Sequence, residues 1–320
     1  MNLRVVGLAI ALAVGVMSWA LTCAAWRFDR VSAGFLPLEP RKFERFTVVV
    51  LGTAAAAEDH NRRGAAIAAG IGTKVILVDA GRGVAEGLRA AKIPPSQPDL
   101  VLLTSLLPEN TVGLDDLLAS AWLAGRRAPL RVIGPPGTRE LAQHVVAEIS
   151  PGVVARSRAL GDDPAPPAIE AIDGPTGASE GDGVSLLGAP LPGGPLPALA
   201  WRIETPGHSA VVGGYGWGAT ELEEFARGAD LLLHEANHVP SPEEAKEMGL
   251  DVDPERLRRE AAVYTGFDEV GAIARRAGVR ALVLYKMRQP PVLDLQITTL
   301  VDDHYDGRIA IARDGDEFAP

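Results

Sequence analysis

Thr104-Ser-Leu-Leu-Pro-Glu-Asn-Thr-Val-Gly-Leu-Asp-Asp-Leu117 decides the reading of this chain. It follows the apolar run Asp99-Leu-Val-Leu-Leu103 and leads into an apolar-periodic segment from Gly113. That pattern predicts a strand, a sharp loop and a helix. In α/β proteins the carboxyl end of such a strand is where ligands and catalytic groups gather. The frame is that of an active-site loop, and its side chains are not.

The 320 residues suffice for one large domain or two small ones, with ample core. A hydrophobic content of 47% with 22% charged residues is ordinary for a globular protein. The formal net charge of -10 argues against a nucleic-acid backbone as partner, because phosphate binding needs clustered Lys and Arg. Residues 5–26 carry no charge. As a helix they would span about 33 Å, enough to cross a bilayer core, so residues 1–26 are expected to be a signal anchor or transmembrane helix. Ala24 and Ala25 leave open a cleaved signal and a secreted body. Arg27, Arg30, Arg41, Lys42 and Arg45 after the span outnumber Arg4 before it, which the positive-inside count reads as a cytoplasmic body. The signal-like N-terminus points the other way, to a membrane-anchored protein whose body is periplasmic or extracytoplasmic. Cys23, the single cysteine, lies inside the span, so no disulfide within the chain is possible.

A mixed-charge linker over 27–45 leads to a body over 46–320. Strands are predicted at 46–51, 65–69, 74–78, 100–104, 129–133, 168–172, 184–187, 198–204, 209–213, 229–233, 281–284 and 308–312. Helices fall at 83–91, 113–125, 138–149, 219–226, 242–248, 254–263, 268–277 and 295–302. Strands first, then alternating strands and helices in each half, fit two sheets between helical layers.

Several segments in this order carry a resemblance. Val50-Leu-Gly-Thr53, Leu77-Val-Asp-Ala-Gly-Arg-Gly83, Thr111-Val-Gly-Leu114, Val132-Ile-Gly-Pro-Pro-Gly-Thr138, Gly228-Ala-Asp-Leu-Leu-Leu-His-Glu235 and Tyr305-Asp-Gly307 resemble the metallo-β-lactamase-fold hydrolases of the ribonuclease Z and arylsulfatase-like branch. The resemblance covers residues 46–318. It implies an α/β (α+β) fold, a four-layer αββα sandwich, with a two-zinc site on one edge where the metal activates water.

The resemblance also says where the ligands should be. Where the family has His, His, Asp and His after the strand, this chain has Ser105, Leu107, Glu109 and Asn110. The later ligand positions fall at Gly193, Tyr215, Tyr264 and Lys286, and no histidine lies between His144 and His208. Leu107 offers no lone pair, and Ser105 and Asn110 are poor zinc ligands. Asp79, His234 and Glu235 remain as supporting or structural groups. The expectation is therefore no metal and no other cofactor, with Lys286 supplying a positive charge, pairing with Glu109, while Leu107, Tyr215 and Tyr264 fill space.

Two other signals are weaker. His234-Glu-Ala-Asn-His238 has the letters of a zinc-protease motif, but it continues a strand, whereas that motif works on a helix. Ser105 has no base that can be assigned to it. The sequence thus implies a catalytically inactive relative, tethered to a membrane through residues 5–26 and acting by binding a protein partner or a small molecule. The alternative is a metal-dependent or metal-independent hydrolase of ester or phosphodiester bonds with an altered site.

Overall fold

A computed structural model of the chain describes residues 3–35, 37–56, 60–162, 165–175, 178–179, 183–288 and 294–320. It divides into two compact units, Met1–Glu39 and Pro40–Pro320. The first is one helix, α1 (Leu3–Phe35). It does not stop at Trp26 but runs on through Arg27, Asp29 and Arg30, taking up much of the expected linker. Among the described residues no helix is long and apolar enough to cross a membrane. The expected membrane anchor, and the membrane-anchored location drawn from it, are corrected accordingly. Residues 1, 2 and 36, which the sequence assigns to the anchor and linker, lie outside the described residues.

The first half of the second unit contains β1 (Phe43–Gly52), β2 (Ala66–Gly72), β3 (Lys74–Val78), α2 (Val84–Ala90), β4 (Leu100–Leu102), α3 (Pro108–Thr111), α4 (Leu114–Leu123), β5 (Leu130–Gly134), α5 (Thr138–Leu160) and β6 (Ile169–Asp173). The second half contains β7 (Ala178–Ser179), β8 (Ser185–Leu191), β9 (Ala198–Thr205), β10 (His208–Val212), α6 (Ala219–Phe225), β11 (Leu231–Glu235), α7 (Pro242–Glu247), α8 (Pro254–Ala261), α9 (Phe267–Ala277), β12 (Ala281–Tyr285), α10 (Asp294–Asp302), β13 (Arg308–Ile311) and β14 (Glu317–Phe318). The strands form two seven-stranded sheets, ordered β14-β1-β2-β3-β4-β5-β6 and β13-β12-β11-β10-β9-β8-β7.

Strand periodicity separates the layers. Successive strand side chains point to opposite faces. Val48 and Val50 of β1 join Ile67, Val78, Trp201, Leu233 and Val283 in a core between the sheets. Val49 and Leu51, one residue out of step, pack outward with Leu88 of α2 and Leu117 of α4. On the other sheet Leu282 and Leu284 face outward to Val270 and Ile273 of α9. Three apolar layers between helices, sheet, sheet and helices make the αββα sandwich that the sequence implied.

Several elements differ from their sequence pattern: β1 begins at Phe43, inside the expected linker, β8 runs on to Leu191, and α3, β7 and β14 lie where no element is predicted. The prediction stops a helix at residue 149, yet α5 continues past Pro151 to Leu160. Proline removes one hydrogen bond from a helix interior. Here it does so on the exposed face, and the chain turns only at Gly161, whose φ is +73°.

Candidate active site

The opening loop is built as a rigid shelf. The Asp79 carboxylate, just past β3, accepts from the Thr104 amide at 2.8 Å and from the Thr104 hydroxyl at 2.8 Å. Asn110 Nδ2 donates to Thr104 Oγ1 (2.9 Å) and to Ser105 Oγ (2.8 Å). Backbone bonds from Ala80 N to Asn110 O and from Gly113 N to Ala80 O close the shelf. A Cβ on Gly113 would collide with the carbonyl of Gly81, so this approach needs glycine. The shelf is also tied to the second sheet, by Leu199 N to Thr104 O (2.7 Å) and Trp201 Nε1 to Leu103 O (2.9 Å).

Across from the shelf, β12 of the opposite sheet ends at Tyr285 and is followed by Lys286. Lys286 Nζ lies 3.8 Å from Asp79 Oδ2, with side chains 0% and 1% exposed. The predicted pairing with Glu109 is therefore corrected: Asp79 takes the ammonium because strands β3 and β12 deliver the two residues to one place. Both residues have left-handed backbone, with φ of 61° and 58°. Such strain in residues other than glycine collects at functional sites. Burial pushes the Asp79 carboxyl up and the Lys286 ammonium down, and their mutual attraction opposes both shifts.

Lys286 Nζ also sits 4.1 Å from the centroid of the Tyr215 ring, a cation–π contact. The Tyr215 hydroxyl donates to Glu109 Oε1, so Glu109 is engaged by a phenol rather than by the lysine. Burial, and Glu109 beside it, hold the Tyr215 phenol far above its ordinary range, so it stays protonated. Tyr215 stacks with Trp217 (5.2 Å between centroids) and approaches Tyr264 (6.4 Å), whose ring lies 5.1 Å from the Arg288 guanidinium.

His234 and Glu235 end β11 and are fully buried. Burial, with Lys286 nearby, drops the His234 imidazole to about 3, so it is neutral. Burial lifts the Glu235 carboxyl to about 7, against hydrogen bonds from the Thr265 amide and Asn237 Nδ2. The His234–His238 segment leaves a strand rather than lying on a helix, which removes the geometry of a zinc protease.

The structure thus brings Asp79, Ser105, Leu107, Glu109, Asn110, Tyr215, Tyr264, His234, Glu235 and Lys286 to one edge of the sandwich. Gly193 is apart from them, exposed in the turn after β8 with nothing near its missing Cβ. Thr104, Asn237, Tyr285 and Arg288 also belong here. A polar residue at or just past a strand end was the signal that could have found the first three. Four buried polar atoms of this cluster have no hydrogen-bond partner among the described residues: Asn110 Oδ1, His234 Nδ1, Tyr285 Oη and Lys286 Nζ.

The donor set can be tested against the two zinc ions that the resemblance implies. Leu107 stands in the loop without a lone pair, and a buried ammonium stands among the carboxylates, where it repels a dication. Among the described residues no group of three His, Cys, Asp or Glu side chains is placed to hold a metal ion. The residues present do not fit a zinc pair.

Beside Tyr264 opens a cleft of about 400 Å³, lined by Asn237, His238, Phe267, Asp268 and His304 among others. Tyr264 and Asn237 belong to both the cleft and the cluster.

No family model matches the chain. The ribonuclease Z of Mycobacterium bovis (strain BCG / Pasteur 1173P2) is 30% identical over 274 residues, covering 83% of this chain and 95% of the relative. That of Mycolicibacterium paratuberculosis is 32% identical over 244 residues, covering 74% and 84%. Among solved structures, the metallo-β-lactamase fold protein YhfI from Bacillus subtilis superposes with a TM-score of 0.65 at 20% identity, covering 86% of this chain and 99% of YhfI. The short form of human tRNase Z gives a TM-score of 0.58 at 16% identity, covering 85% and 98%. The Mycobacterium bovis and Mycolicibacterium paratuberculosis relatives are named ribonuclease Z, and they overturn the expectation of a catalytically inactive chain that acts only by binding. Matched over nearly the whole length of ribonuclease Z, the chain belongs to the ribonuclease Z branch of the metallo-β-lactamase-fold superfamily.

Proposed function

We propose that this chain is a hydrolase of phosphodiester bonds that works through an altered site centred on Lys286. The observation that carries the reading is the Lys286–Asp79 pair, buried and strained at the strand ends. A scaffold kept only for its shape gains little from a buried charge pair, which well-packed apolar residues often replace without loss of stability. A cation in a low-dielectric pocket stabilises the charge that develops on phosphoryl oxygens during attack.

The remaining groups have definite parts. Glu109 is half-exposed and carries the carboxylate that can take a proton from an attacking water. Tyr215 donates to it and screens the ammonium from solvent, being 1% exposed. Productive binding therefore requires the Tyr215 ring to swing off Lys286, breaking its bond to Glu109 and freeing that base in the same motion. Water then bonds to phosphorus as the ester P–O bond breaks, and its proton passes to Glu109. Glu109, once protonated, returns that proton to the leaving oxygen.

The substrate is small. The cleft beside Tyr264 carries Asp268, Glu269 and Asp303, and the whole chain has a net charge of -10. Such a surface suits one phosphodiester flanked by an uncharged or cationic group, and opposes a polyanionic strand.

Turnover of bis(p-nitrophenyl) phosphate by the full chain tests the reading, with p-nitrophenyl butyrate as the carboxylic-ester comparison. Phosphodiester turnover should appear and fall at least about a hundredfold in Glu109→Gln, the loss of a general base. Turnover of the carboxylic ester alone, or a Glu109→Gln variant as fast as the parent, would contradict it.

A further inference from the structure

The misfit between this donor set and zinc points to what replaced the metal. We infer that Lys286 is a built-in cation: its ammonium, held between the Asp79 carboxylate and the Tyr215 ring, takes the structural place of a metal ion, and the folded protein neither carries nor needs zinc.

Three observations converge on this. First is topology. Asp79 follows β3 of one sheet and Lys286 follows β12 of the other, so their 3.8 Å pair joins the two halves of the sandwich across the active edge. A bridging metal ion makes the same kind of link, and a covalently tethered charge makes it without a diffusible partner. Second is the surrounding charge. Asp79, Glu235 and Glu109 all attract the ammonium, Asp79 most strongly, so its removal leaves the buried Asp79 carboxylate uncompensated. Third is shape. The Tyr215 ring lies against the ammonium at 4.1 Å, and Leu107 packs against the apolar cluster that contains Tyr215, so carbon covers this side of the charge. Asp79 is held rigidly for its role by the amide and hydroxyl of Thr104, which fix the carboxylate in its strained position.

The inference deepens the reading of the same site, but it is measured without turnover, so the two fail separately. The full chain, purified without chelators, is assayed for zinc by elemental analysis, before and after incubation with excess zinc and gel filtration. Its thermal midpoint is followed with and without EDTA. The expected result is far less than one zinc per chain and no shift with EDTA. A stoichiometric zinc, or a midpoint lowered by EDTA, overturns the proposal.

A double-mutant cycle checks the pairing. Lys286→Met should lower Tm by roughly 10 °C, as removing one partner of a buried pair does in a chain of this size. Lys286→Met with Asp79→Asn should recover much of that loss, because no charge is then left alone. Equal and additive losses in the two single variants would mean that Lys286 does not serve Asp79, and would overturn the pairing. If Lys286→Met does not fold, Asp79→Asn alone and the zinc assay on the parent decide the matter.

Discussion

At the scale of single residues, the adjacent pair His234 and Glu235 sets a pH profile for stability. His234 is lowered to about 3 from 6.5, and Glu235 is raised to about 7 from 4.5. Below pH 6.5 the unfolded chain takes up a proton at His234 that the folded one refuses, so this residue weakens the fold as pH falls toward 3. Above pH 4.5 the unfolded chain releases a proton at Glu235 that the folded one keeps, so this residue weakens the fold as pH rises toward 7. Between about 4.5 and 6.5 the two slopes oppose each other, and their joint contribution is flat. Glu235→Gln removes one of them. The Tm of this variant minus that of the parent should therefore rise between pH 5 and pH 8, whatever its offset at pH 5. A difference that stays constant with pH would show that Glu235 titrates normally in the fold.

At the scale of elements, the loop from β4 through α3 to α4 is held as a shelf by hydrogen bonds to the residues after β3 and by a glycine contact. Gly113→Ala places a methyl group against the Gly81 carbonyl, and a packed backbone has little room to yield. Its Tm should fall by roughly 5 °C, measured by thermal unfolding. An unchanged Tm would mean that the shelf is loose. Much of this was legible in the sequence. The apolar run before Thr104, the periodicity after Gly113 and the longer strands of both sheets follow from local pattern, which reads side-chain faces directly, whereas the two-residue strands β7 and β14 carry no such pattern. The α5 helix was legible only to residue 149, because a local rule stops a helix at proline while exposure of the ring at Pro151 is a tertiary fact. At the site, the residue types were legible and the partnerships were not. Lys286 was foreseen as a charge in the metal's place, but its partner depends on which strand ends meet, and no local signal told Asp79 from Glu109. The left-handed backbone at Asp79 and Lys286 is likewise set by the meeting of two sheets rather than by either residue.

At the scale of the molecule, two sheets, each drawn mainly from one half of the chain, close on one polar edge, and that edge is crossed by the Asp79–Lys286 charge pair. The apolar layers explain why the sandwich can keep its shape while the edge changes: Val48, Trp201 and Val283 form the core between the sheets whatever stands at the strand ends. Family membership fixes the fold and the hydrolase class, and the chain's own residues fix how the class is practised. The central claim is that hydrolysis runs on the tethered ammonium. Its most direct test is the rate of bis(p-nitrophenyl) phosphate hydrolysis by the full chain in excess EDTA, compared with Lys286→Met under the same conditions. The parent should keep its full rate in EDTA, and Lys286→Met should lose about a hundredfold to a thousandfold in kcat, as expected for removal of a charge-stabilising group. A parent silenced by EDTA, or a Lys286→Met variant that is folded and as fast as the parent, would contradict the account.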